Sequence, residues 1–164
     1  MYQPYQYPYV GYVPVQGTPI QEFDYTQPCL QVALQHIKES VQGEREDELF
    51  YQYLISIAPT QEEKEIIASI RDDERKHNQM FRRIYWNFTG QEVQNVNEEQ
   101  FEKPANYIAG IKKALFGELK AVEKYRRIKQ CLPEGIYQHM LFEIITDELK
   151  HATKYNYLFT LNKK

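Results

Sequence analysis

No uninterrupted apolar run approaches the about 18 residues that a membrane-spanning helix needs, so no membrane segment is expected. No basic excess exists either. Lys and Arg number 20 against 23 Asp and Glu, for a net charge of -3, and this balance argues against a nucleic-acid partner. The mild acidity is compatible with ordinary solubility. Only two cysteines occur, Cys29 and Cys131, and no Cys-x-x-Cys pair. A four-thiolate iron centre and a zinc knuckle are therefore both excluded. The two cysteines allow one disulfide but imply no disulfide framework. The N-terminus lacks the basic patch and apolar core of a secretory leader. A reducing, cytoplasmic location is the default expectation.

What is present divides the 164 residues into two parts. Residues 1–28 hold six Tyr, five Pro and five Gln but only two charged residues. Spaced prolines forbid a long helix and favour extended backbone. This segment is expected to be a disordered tail, either passive or able to dock on a partner through its tyrosines.

From residue 29 to about 161 the pattern is helical and fits one domain. A first helix is expected over residues 29–58, with Leu30, Leu34, Ile37, Val41, Glu44, Glu48, Tyr51 and Ile55 inward. Pro59 ends it, and Thr60 with Glu63 signals the next N-terminus. A second helix is expected over 61–88, with Ile67, Ile70, Glu74, His77, Phe81, Ile84 and Phe88 inward and Gly90 after its end. Pro104 is placed to open a third helix, which runs to Cys131 and carries Ile108, Ile111, Leu115, Glu118, Val122, Tyr125 and Ile128 inward. Pro133 starts a fourth. Its face holds Tyr137, Met140 or Leu141, Ile144, Glu148, His151, Tyr155 and Leu158. Met80, Met140 and Trp86 read as packing residues. The outer links are short and the middle one is long. That predicts two hairpins joined by a crossover, an all-α four-helix bundle of ferritin-like topology.

An internal repeat carries the functional signal. Glu44 precedes Glu74 by 30 residues, and Glu118 precedes Glu148 by 30, so the two pairs are offset by 74. Gly43-Glu44 is followed seven residues later by Tyr51, and Gly117-Glu118 at the same distance by Tyr125. The windows 70–77 and 144–151 share Ile, Asp, Glu, Lys and His. Two such hairpins about a pseudo-twofold axis would bring four Glu and two His together.

Each of these Glu residues interrupts an inward stripe. Four buried carboxylates would repel one another and lose hydration. Bound cations remove that penalty. Glu-x-x-His places two ligands on one helix face, and carboxylate oxygens with imidazole nitrogen suit iron or manganese. The expected metal set is Glu44, Glu74, His77, Glu118, Glu148 and His151, with the four Glu also the catalytic candidates.

These residues resemble the ferritin-like superfamily, and the rubrerythrin branch most closely. Gly-Glu-x-x-x-x-x-x-Tyr and Asp-Glu-x-x-His, each present twice, carry the likeness across residues 29–160. The resemblance implies that Glu44 and Glu118 are terminal carboxylates, that Glu74 and Glu148 bridge two metal ions, and that His77 and His151 each bind one. It also implies that Asp73 holds His151 and Asp147 holds His77. Tyr51 and Tyr125 are placed to hydrogen-bond a ligand, pass an electron or pack in the core. Rubrerythrins usually carry a rubredoxin-like domain, and its four cysteines are missing here, so a separate protein would supply electrons. Rubrerythrins also tend to have a second Glu three residues after the third-helix ligand, where this chain has Ala121. Asp47 reads as a helix-surface charge, while Glu48 stays open as an additional ligand.

The function implied is a dimetal-carboxylate oxidoreductase that reduces peroxide or dioxygen, with iron or manganese as the metal. Two alternatives remain: an iron-binding or storage protein, and a structural module of an assembly such as a spore coat. A homodimer through an exposed helix face is compatible with either.

Overall fold

In the computed structural model, which describes residues 27–94 and 101–163, the chain forms four helices: α1 (Gln27–Ile57), α2 (Gln61–Thr89), α3 (Tyr107–Cys131) and α4 (Ile136–Asn162). No helix among the described residues is long and apolar enough to cross a membrane. The expected tail, 1–28, lies outside the described residues except for its last two, which already belong to α1.

Local chemistry sets the helix ends. Thr60 caps α2 as the sequence predicts, its hydroxyl accepting from the Glu63 amide at 3.2 Å. Gly90 closes the same helix in the left-handed region at φ 66°, which a glycine adopts without strain. The two proline-based starts need correction. Pro104 does not open α3, because Asn106 caps it by accepting from the Ala109 amide at 2.9 Å. Pro133 does not open α4, whose N-cap is Gly135 at φ 117°.

Helix directions follow from end-to-end contacts. Cys29 at the start of α1 is disulfide-bonded to Cys131 at the end of α3, with Cα atoms 5.3 Å apart. At the other end, a Cβ on Gly110 would run into the Leu54 side chain. So α1 and α3 are antiparallel. Asn162 at the end of α4 donates to Glu63 at the start of α2 at 2.8 Å, so that pair is antiparallel too. Since α1 and α2 form a hairpin, α2 and α3 must run parallel. Their link therefore has to return the length of the bundle. A 25-residue helix is roughly 37 Å long. Covering that takes about 11 extended residues, and residues 90–106 suffice.

Two apolar clusters fill the interior. One contains Ile37, Val41, Phe81, Ile84, Val122 and Ile144. The other contains Leu54, Ile67, Ile70, Ile111, Tyr155 and Leu158. The inward stripe of α2 is as expected from Ile67 to Ile84, with Phe88 partly buried. On α1 the buried stripe passes through Phe50 and Leu54 rather than Glu48 and Ile55. On α4, Leu141 is buried and Met140 only partly so. Trp86 is not a packing residue. It is 53% exposed beside a surface cavity that Arg83 also lines.

Candidate metal centre

Between the two apolar clusters the bundle buries polar groups. Glu44 comes from α1, Glu74 and His77 from α2, Glu118 from α3, and Glu148 and His151 from α4; none is more than 3% exposed. Each lies near the middle of its helix, one or two turns from the apolar residues above and below. The packing that fixes those neighbours therefore fixes these side chains.

The six form two overlapping groups. Glu44, Glu74, His77 and Glu148 offer ligand atoms that all lie within 4.8 Å of one another. Glu74, Glu118, Glu148 and His151 do the same. Each group could hold a metal ion, and Glu74 and Glu148 belong to both. His77 Nδ1 stands 3.1 Å from Glu74 and 3.1 Å from Glu148. His151 Nδ1 stands 3.2 Å from Glu74 and 3.6 Å from Glu118.

The protein alone leaves this space unsatisfied. Glu44 Oε2, Glu74 Oε1, Glu148 Oε1 and His151 Nδ1 are buried and make no hydrogen bond among the described residues. Buried polar atoms rarely stay unpaired, and here they converge from four helices. Oxygen donors in excess, with one imidazole nitrogen per group, suit iron or manganese.

The electrostatics express the same frustration. Burial and the charges on Glu44 and Glu148 push the Glu74 carboxyl well above its ordinary range. Burial and hydrogen bonding to Glu118 do the same to Glu148. Burial also opposes charge on Glu44, but the neighbouring Glu74 and His77 and the hydroxyl of Tyr125 hold its carboxyl down at about 2. For His77, burial works against the charged ring, yet Glu44 and Asp147 raise its pKa. Four carboxylates share too little positive charge to be ionised together.

An outer layer orients the inner one, and it crosses between hairpins. His77 Nε2 bonds to Asp147 at 3.3 Å and His151 Nε2 to Asp73 at 3.2 Å. The Nδ1 atoms are thereby left facing inward. Tyr51 donates to Glu118 at 2.7 Å, and Tyr125 donates to Glu44. Both phenol pKa values are pushed up by burial and by the carboxylates, so both hydroxyls keep their protons.

Glu48 is not in the cluster. It is held at the surface by Arg45 and by Arg75, the latter at 2.7 Å. Asp47 is exposed, but desolvation of its carboxyl and the nearby charges of Glu44 and Glu118 push its pKa well above the ordinary range, unlike an isolated helix-surface charge. Sequence reasoning assigned no role to the lysines of the repeat. Lys76 pairs with Asp73 at 2.9 Å, and Lys150 pairs with Asp73 at 3.0 Å and with Asp147. These contacts pull both aspartate pKa values down against burial. The signal was available, because Lys76 and Lys150 are matched positions in the repeated window.

A bundle of two antiparallel hairpins around shared buried glutamates and histidines is the ferritin-like class of diiron-carboxylate proteins. Within that class the chain belongs to the rubrerythrin family, which residues 36–159 match. The family implies a dimetal site, and the buried carboxylate and imidazole cluster is where it would sit. YhjR, an uncharacterised protein of Bacillus subtilis (strain 168), is 25% identical over 126 residues, covering 77% of this chain and 86% of that protein. No solved structure matches the chain.

Proposed function

We propose that Glu44, Glu74, His77, Glu118, Glu148 and His151 hold two iron or manganese ions, and that the protein reduces peroxide or dioxygen with electrons from a separate donor protein. The convergence of buried donor atoms that make no hydrogen bond at Glu44, Glu74, Glu148 and His151 supports this reading above all else. Glu44 and Glu118 would each serve one ion, and Glu74 and Glu148 both. When bound, the metal pair supplies two electrons, one from each ion. Reduction of hydrogen peroxide consumes those two electrons and two protons and gives two waters.

The chain's own residues would do the rest. Asp73 and Asp147 hold the two imidazoles with Nδ1 inward. Tyr51 and Tyr125 fix one oxygen of Glu118 and of Glu44 from the opposite hairpin. The apolar clusters on either side exclude bulk water and so strengthen each electrostatic contact.

The test is anaerobic loading with Fe(II) or Mn(II), metal analysis, and then addition of hydrogen peroxide. About two ions per chain and peroxide-dependent oxidation, both lost in Glu74→Gln, support the reading. Folded protein that takes up no metal overturns it. Two bound ions without peroxide or dioxygen turnover would leave iron binding or storage as the function.

A further inference from the structure

The four helices do not close this centre evenly. On the α2–α4 side it is shut by the two His–Asp pairs, with Lys150 spanning both aspartates. On the α1–α3 side side chains are missing. Gly43 and Gly117 occupy matched positions of the repeat, and a Cβ built on either meets nothing within 4 Å. The next matched pair one turn along is Asp47 and Ala121.

Two cavities open along this seam, of ≈ 330 and ≈ 450 Å³. Asp47 and Gly117 line both. Tyr51 lines the first, and its hydroxyl touches Glu118; Tyr125 lines the second, and its hydroxyl touches Glu44. The inner walls of the two cavities are thus the phenols that contact the terminal carboxylates. A water occupies about 30 Å³ of liquid, so either cavity admits a hydrated ion or a peroxide. The mouths differ in charge. Glu46, Asp47 and Glu102 face one Lys113 at the first, while Lys120, Lys124 and Arg127 face Asp47 and Glu123 at the second.

We infer that the α1–α3 seam is the door to the centre: the divalent ion enters there during loading and the small oxidant enters there afterwards. Gly117 is its threshold, and the carboxylates of Glu46 and Glu102 at the mouth of the first cavity draw the cation to it. The oxidant half of the inference rests on the function proposed above; the ion half does not.

The test follows Co(II) uptake by the full-length metal-free protein, by absorbance in rapid mixing, and then peroxide oxidation of the Fe(II)-loaded form. Gly117→Phe is expected to bind the native number of Co(II) ions but to load at least about tenfold more slowly. Glu46→Gln is expected to load more slowly and with a weaker dependence on salt. Ala121→Phe, which blocks the second cavity, provides a second obstruction should Gly117→Phe not fold. Loading within about twofold of native in both Phe variants overturns the door. Peroxide oxidation should slow in parallel with loading. A native protein that loads Co(II) but never consumes peroxide removes the functional reading, while the loading rates still decide the door.

Discussion

His77 on α2 and Asp147 on α4 meet at 3.3 Å although 70 residues separate them in the chain. The contact reaches from one hairpin to the other and has a counterpart in His151 and Asp73 at 3.2 Å. Each histidine therefore reports on the docking of both hairpins. Asp147→Ala should weaken metal binding by roughly 10- to 100-fold, as removing such a partner does at other sites. The loss should concentrate in one of two binding steps, that of the ion held by His77. Stepwise titration by calorimetry checks this, and equal weakening of both steps would contradict it.

Tyr125→Phe and Tyr51→Phe each delete one hydroxyl donated to a buried carboxylate. The deprived group is Glu44 in the first case and Glu118 in the second. A hydrogen bond to a charged group contributes about 1.5–3 kcal/mol. Each variant should lose stability of that order in urea unfolding. The double variant should show nearly additive loss if the two hairpins sense the changes separately.

The metal-free protein should lose stability as pH rises from about 4.5. Glu74 and Glu148 have raised pKa values in the folded state, and so does His77. Above the unfolded carboxyl value the folded protein holds more protons than the unfolded chain. The slope of unfolding free energy with pH is then negative until the raised values are passed. Unfolding at pH 5, 6, 7 and 8 measures that slope directly. A stability that rises over this range would show that the carboxylates are ionised together without penalty.

Reduction of Cys29–Cys131 should destabilise the bundle substantially. The bridge spans a sequence separation of 102. A loop of that size corresponds to about 4.7 kcal/mol of chain entropy at 25 °C. Urea unfolding with and without dithiothreitol checks the value, and the Cys29→Ser, Cys131→Ser double variant should match the reduced protein.

Gly110→Ala should destabilise, because the added methyl runs into Leu54 and stands 3.1 Å from Pro104. Overpacking of this kind costs about 1–3 kcal/mol. A shift in thermal midpoint is the readout.

How much of this was legible in the sequence depends on the residue. The stripe of α2 was readable because Glu74 and His77 are the only polar residues between Ile70 and Phe81 on one face, and their spacing repeats in α4. The stripe of α1 was misread at Glu48 and Ile55, while Tyr51 is buried as expected. Glu48 keeps the helical period, but Arg45 and Arg75 hold it at the surface, and only the folded hairpin brings Arg75 there. Pro104 and Pro133 looked like helix starts because proline suits a first turn. Asn106 provides a side-chain acceptor that proline cannot, and it lies two residues further on. The sequence allowed one disulfide and its link lengths predicted the crossover, but that Cys29 meets Cys131, and that a seam opens between α1 and α3, depends on how the two hairpins dock. The matched Gly43 and Gly117 were visible as a repeat, but what a missing side chain leaves open appears only once the helices are side by side.

The Cys29–Cys131 bridge has a topological consequence. It turns everything from the first turn of α1 to the last residue of α3 into a single covalent ring, from which the N-terminal residues and α4 hang as two arms. Cutting one peptide bond inside the ring, the long crossover included, opens it without releasing a fragment. The oxidised protein so nicked stays one covalent molecule, heavier only by the water that hydrolysis adds, and a reductant separates its two pieces.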